Sequence, residues 1–183
     1  MKSLRLPVAL TITILFLPFQ TRAVESKPPA ALGQFDQFRT LLGGEWEATG
    51  SDGHQVRAWY RLVSAGTTLL ETFKTGDEPE MITAYHIDKD DLMMTHYCSA
   101  GNQPTMRVEP PGKDPKVLNF SFVSATNLPD PEIGHMIGLT VTFKDQDHFM
   151  ENWTWHEKGK DKAISFPFSR KKGGSQVHSI PRQ

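Results

Sequence analysis

The chain has 183 residues, one cysteine and a formal charge of −1 from 20 Lys+Arg against 21 Asp+Glu. That length matches one domain with a core of its own, and the near balance of charge excludes a nucleic-acid partner recognised through a basic surface. The single cysteine excludes an internal disulfide, so Cys98 is expected as a small buried hydrophobe rather than a reactive thiol.

Residues 1–23 have the three parts of a secretory signal: a basic start with Lys2 and Arg5, an apolar run Leu6–Phe19, and Thr21-Arg22-Ala23 as a small-x-small cleavage site. Cleavage would leave Val24 as the first residue, and the loss of three positive charges takes the formal charge from −1 to −4. The expected compartment is therefore the periplasm or the exterior, with no membrane contact after processing. Val24–Ala31 holds Lys27, Pro28 and Pro29 with nothing to bury and is expected as a flexible leader, residues 24–31. In Leu32–Leu42, Phe35, Phe38, Leu41 and Leu42 recur at helical spacing, and Gly43-Gly44 supplies a stop. So short a helix needs a partner surface for its apolar stripe.

From Glu45 the period changes to two. The alternation predicts strands at 45–50, 55–63, 67–75, 80–88, 91–99, 104–109, 116–124, 136–144, 148–157 and 163–170, joined by turns such as Ser51-Asp52-Gly53 and Asp88-Lys89-Asp90-Asp91. The fold class is all-β, an antiparallel up-and-down meander of about eight to ten strands. Closure into a barrel removes the edges that so long an open sheet would expose. The barrel domain is expected over 32–170 and a disordered tail over 171–183. The exception to short connections is Ser124–Gly134, a loop expected either to cover one mouth or to decorate the surface, with a helical turn at Asp130–Ile133.

A short helix, then Leu42-Gly43-Gly44-Glu45-Trp46, then an antiparallel meander, resembles the entry of the calycin superfamily, where a Gly-x-Trp on the first strand plugs the barrel base. More closely, residues 35–170 resemble bacterial lipocalin-like domains that begin LxGxW and carry an HYCxxGNQPxMR segment, here His96–Arg107. That resemblance implies a barrel and no particular activity; Trp46 would be structural. The nitrobindins are a more distant resemblance and would imply haem held by a histidine. Their longer glycine pattern on the first strand is replaced here by Glu47-Ala48-Thr49-Gly50, and none of His135, His148 or His156 is matched to their iron ligand.

Period two also assigns faces. Val56, Ala58, Tyr60 and Leu62 share one face, as do Leu69, Glu71 and Phe73, then Leu92, Met94, His96 and Cys98, then Phe149, Glu151, Trp153 and Trp155. Glu71, His96 and Glu151 thus fall on faces that otherwise look inward. Buried ionisable groups are expensive unless paired, so the three either orient a ligand or satisfy one another in the core. Asn102 and Gln103, stiffened by Pro104, suit either a ligand-reading rim or a turn that bonds itself. The candidate ligand-binding set is Tyr60, Glu71, Met94, His96, Asn102, Gln103, Glu151 and Trp153. The seven histidines are scattered without an HExxH pair, which predicts no metal site, and the chain has no phosphate loop, dinucleotide fingerprint or GxSxG elbow. Four readings follow: an exported barrel binding a small apolar molecule without a cofactor, an enzyme with His96 as general base, a haem protein, and a barrel filled for structure alone.

Overall fold

The computed structural model describes residues 30–171. The expected signal segment, residues 24–29 of the leader and residues 172–183 of the tail lie outside the described residues. Helix α1 (Ala30–Arg39) leads into ten strands: β1 (Glu45–Thr49), β2 (Gln55–Val63), β3 (Thr68–Thr75), β4 (Met81–Asp88), β5 (Asp91–Tyr97), β6 (Gln103–Val108), β7 (Val117–Thr126), β8 (His135–Asp145), β9 (His148–Glu157) and β10 (Lys160–Arg170). Each strand pairs antiparallel with its sequence neighbours, and β1 pairs with β10 to close the barrel. The expected all-β meander with a short N-terminal helix is the fold observed. Closure leaves no long unpaired edge, which lets a strand-rich chain avoid edge-to-edge association.

Several boundaries shift by one to three residues, and three of the shifts change the reading. The helix begins earlier, at Ala30, and Ala31 is fully buried. The last two residues of the expected flexible leader are therefore ordered, alanine being the best helix former. Strand β10 begins at Lys160 because Lys160, Asp161 and Lys162 continue the pairing with Glu157, His156 and Trp155. The 124–134 loop shrinks to 127–134, since β7 runs on to Thr126 against Gln103 and β8 already starts at His135. Within that loop, the Ile133 amide donates to the Asp130 carbonyl at 3.1 Å, a single turn and not a helix.

A β-bulge explains why β7 loses its alternation. Thr105 pairs with Ser124 and Met106 with Phe122, so Val123 is the extra residue and stands 50 % exposed. Beyond Ser121 the upper half of β7 no longer pairs with β8, and the two strands diverge toward the 127–134 loop.

The base of the barrel is a closed aromatic layer. Trp46 is fully buried, and its indole N–H donates to the Leu41 carbonyl at 2.9 Å. Phe149 meets it edge-on with ring centroids 4.8 Å apart, and the Arg170 guanidinium covers its face at 4.1 Å. Arg170 also donates through Nη2 to the Thr40 and Gln146 carbonyls at 3.0 and 3.1 Å, and through Nε to Asp147 Oδ1 at 3.2 Å. One side chain thus ties the last strand to the helix exit. Gly44 permits this passage, because a Cβ there would lie 2.5 Å from Arg170 Nη1. From α1, Phe38 stacks on Tyr85 at 4.3 Å and meets Phe143 edge-on at 5.3 Å. The helix packs on the β4–β5 side. Leu62 on β2, expected inward, is 37 % exposed.

Candidate functional site

The inward faces read from alternation place Tyr60, Glu71, His96, Glu151 and Trp153 inside the barrel, all buried. Strand register brings most of them together. Tyr60 pairs with Glu71, Glu71 with Thr83, and Thr83 with His96, so one row of cross-strand partners runs over β2, β3, β4 and β5. Glu151 on β9 meets Tyr60 from across the lumen. The Tyr60 hydroxyl donates to Glu71 Oε1 at 2.8 Å and lies 3.2 Å from Glu151 Oε1. The Tyr85 hydroxyl donates to Glu71 Oε2 at 3.1 Å, and the Trp153 indole N–H donates to Glu151 Oε2 at 3.0 Å.

Two fully buried carboxylates in mutual contact cannot both ionise. Burial raises both, and Glu151 is pushed well above its ordinary value by burial and then by the charge on Glu71, whereas the hydrogen bond from Glu151 lowers Glu71. Of the two, Glu151 holds its proton the more tightly. The Tyr60 and Tyr85 hydroxyls converge on Glu71, one on each carboxyl oxygen. The phenols of Tyr60 and Tyr85, raised far above their ordinary value by burial and by these carboxylates, stay protonated and serve as donors.

Above this layer a cavity of about 430 Å³ opens at the end of the barrel opposite α1. Phe73, Trp153, Trp155 and Phe166 form aromatic wall, Met81 and Met136 soften it, and Asp52, Glu157 and Lys162 stand among its charged lining residues. His96 lines the cavity, its ring 4.8 Å from that of Trp153. Its Nδ1 is 3.0 Å from the Thr83 hydroxyl, while Nε2 is buried without a hydrogen-bond partner. Burial lowers the imidazole pKa to about 4, so the ring is neutral at ordinary pH. Cys98 also lines the cavity, half-buried, and desolvation raises its thiol pKa, which keeps it protonated and unreactive.

The remaining candidates fall elsewhere. Met94 is fully buried on β5, paired with Tyr85 and Met106, and does not line the cavity. Asn102 Nδ2 donates to the Gly134 carbonyl at 2.9 Å, pinning the 127–134 loop to the turn before β6. The Gln103 amide donates to the Gly101 carbonyl and accepts from Thr126 and Asn127. Both side chains thus bond the loops, Asn102 through Nδ2 alone with its Oδ1 buried and unpaired, and neither lines the cavity. Gly134 lies against the indole of Trp155, leaving no room for a Cβ. The 127–134 loop is thereby fastened beside the mouth by Asn102 on one side, and on the other by the Lys158 amide, which donates to the Glu132 carbonyl at 3.0 Å.

Of the histidines named for haem, His135 donates Nδ1–H to the Ile133 carbonyl, His156 is held by Asp161 and His148 by Asp145. None of the three lines the cavity, so these residues do not fit a haem held there. Among the described residues, no three His, Cys, Asp or Glu side chains form a group able to hold a metal ion.

Thr83 and Tyr85, unnoticed in the sequence, complete the network. Alternation along Met81, Thr83 and Tyr85 already puts both on one face of β4, but only the register sets them beside Glu71. No protein-family model matches the chain, and neither does any curated protein. Among solved structures, the chain is similar to a protein of unknown function from the DUF3598 family of Nostoc punctiforme, at 13 % identity and a TM-score of 0.48, over 74 % of this chain and 49 % of that one. The chain therefore spans about half the length of that protein.

Proposed function

We propose that the protein is a small-molecule-binding barrel that takes a largely apolar ligand into the mouth cavity, and that it works in the periplasm or outside the cell after removal of residues 1–23. The observation that carries this reading is the pairing of a cavity of about 430 Å³, walled mainly by apolar side chains, with one buried histidine nitrogen that lacks a protein partner. Ligand sites are typically apolar concavities with few polar groups that set orientation. An unsatisfied buried polar atom costs roughly 1–3 kcal/mol, and of the three among the described residues, Gln37 Oε1, His96 Nε2 and Asn102 Oδ1, only the His96 nitrogen belongs to a residue that lines the cavity. The lipocalin-like resemblance of the Gly-x-Trp entry and the His96–Arg107 segment fits the same reading.

Catalysis with His96 as general base is disfavoured. A pKa of about 4 makes the imidazole a weak base at neutral pH, where efficient bases lie near 7.

Native mass spectrometry and an absorption spectrum of the protein purified from its own host test the proposal. The expected result is a polypeptide beginning at Val24 that retains a non-covalent small molecule and shows no haem band. A mass including residues 1–23 would overturn export, and a haem band would overturn the apolar ligand. Protein free of any retained or added ligand would leave a purely structural barrel.

A further inference from the structure

We infer that the mouth cavity takes organic cations, an apolar body carrying a quaternary or substituted ammonium group, in preference to neutral or anionic molecules of the same shape. The inference rests on the cavity being a ligand site, as proposed above, and adds the charge of its occupant.

The topology sorts the charged turns between the two ends of the barrel. Alternate connections of an up-and-down barrel lie at opposite ends, so the segments that follow β1, β3, β5, β7 and β9 surround the mouth. They carry Asp52, Asp77, Glu78, Glu80, Asp130 and Glu132 against Lys158 alone. The connections at the base are nearly balanced, with Asp90, Glu109, Asp114 and Asp147 against Lys89, Lys113 and Lys116. The strand ends of the β9–β10 hairpin add Glu157 and Asp161 against Lys160 and Lys162, which leaves the acidic excess at the mouth unchanged. Two of the mouth acids have a histidine beside them: Asp52 lies 3.3 Å from His54, and Glu132 lies 3.9 Å from His156. The other four, all exposed, have no ion-pair partner among the described residues.

Field and wall then act on the same group. An excess of one sign around a cleft with low-dielectric walls concentrates ions of the opposite sign in it. Inside, Phe73, Trp153, Trp155 and Phe166 line the cavity, and an aromatic ring attracts a cation that sits over its face within about 6 Å of its centroid. A neutral molecule gains the apolar contact but neither attraction, and an anion is opposed by both. Lys162 is the one lysine or arginine in the lining and is outnumbered there by Asp52 and Glu157. His96, which also lines the cavity, is neutral at ordinary pH and adds no opposing charge. The remaining wall, with Met81, Met136 and Ile164, is apolar and suits the body that carries the charge.

Three phenols with a three-armed group of similar size opposite the hydroxyl differ chiefly in charge: 4-(trimethylammonio)phenol, 4-tert-butylphenol and 4-hydroxybenzenesulfonate. Each is titrated calorimetrically into the purified protein at pH 7. The cation should bind about tenfold more tightly than tert-butylphenol, with the sulfonate the weakest. Raising the ionic strength from about 0.01 M to about 0.1 M shortens the screening length from about 30 Å to about 10 Å, and should weaken the cation several-fold while leaving tert-butylphenol unchanged. The triple variant Asp77→Asn, Glu78→Gln, Glu80→Gln, whose positions do not line the cavity, should do the same at low salt, and unchanged tert-butylphenol binding also shows that the cavity has survived the substitutions. Trp155→Leu should narrow the ratio between the cation and tert-butylphenol. Equal binding of the cation and tert-butylphenol by the wild type, or tightest binding of the sulfonate, would overturn the inference while the cavity stands as a ligand site. Failure of all three to bind would overturn the ligand site and the inference with it.

Discussion

The two ends of this barrel are built from the same strands and treat their inward residues in opposite ways. At the base, Trp46, Phe149 and Phe38 interlock with ring centroids about 5 Å from their neighbours, and Arg170 seals the layer from outside. At the mouth the aromatic residues Phe73, Trp153, Trp155 and Phe166 stand around a cavity instead of filling it. Between them lies the hydrogen-bonded layer of Tyr60, Glu71, Tyr85 and Glu151. The contrast shows a division of labour along the barrel axis. Dense packing at one end supplies stability that the other end forgoes, and the polar layer separates the two.

The contrast breaks most severely at the base. Trp46→Ala removes a fully buried indole that no neighbour can replace. The expected loss is about 3–5 kcal/mol, equivalent to a melting temperature lowered by about 10 °C or more in a domain of this size. Thermal denaturation followed by circular dichroism measures it, and a melt within a few degrees of wild type would show that the base is not where stability resides.

In the middle layer, an isosteric pair separates the two glutamates. Glu151→Gln replaces the carboxyl that holds its proton the more tightly and should change stability by less than about 1 kcal/mol, because the amide still donates toward Glu71. Glu71→Gln replaces the acceptor on which the Tyr60 and Tyr85 hydroxyls converge, and should lose about 1–3 kcal/mol. Urea denaturation of the two variants side by side decides the matter. Equal losses, or the reverse order, would reassign the proton.

At the mouth the effect shows itself through pH. The unfolded His96 side chain takes up a proton near its ordinary value of 6.5, whereas the folded one does so only at about 4. Its contribution to stability is therefore complete above pH 6.5 and is lost as the pH falls toward 4, on the order of 3 kcal/mol in all. The raised glutamates act in the opposite sense: their contribution is present below their ordinary value of 4.5 and is lost as the pH rises through the value they have in the folded protein. His96→Phe deletes the first effect and leaves the second. Melting temperatures of wild type and variant at several pH values between 4 and 6.5 should thus diverge with rising pH in favour of wild type. Parallel curves would mean that His96 titrates alike in the folded and unfolded protein.

Much of this architecture was legible before any coordinates. The alternation in Val56-Arg57-Ala58-Trp59-Tyr60 and in Leu69-Leu70-Glu71-Thr72-Phe73 identified inward faces. The inward placement of Glu71, His96 and Glu151 followed because a strand's side chains alternate at a fixed period. Where that reading failed, the cause was geometric. The extra residue at Val123 broke the period on β7. The Asn102-Gln103 pair showed its polarity in sequence but not its partners, since Gly134 and Thr126 lie on segments distant along the chain.

The sequence by itself determined the number and span of the strands, their inward faces and the presence of three ionisable groups among apolar neighbours, because these depend on local periodicity and on the preferences of single residues. Only the tertiary structure decided that Tyr60, Glu71, Thr83 and His96 share one row, that Glu151 meets that row from across the lumen, and that the mouth keeps a cavity while the base does not. Those outcomes depend on the relative heights of strands set by turns and bulges, on which strand closes against which, and on how side chains from ten different strands fill one shared volume. None of these is a property of any short stretch of chain.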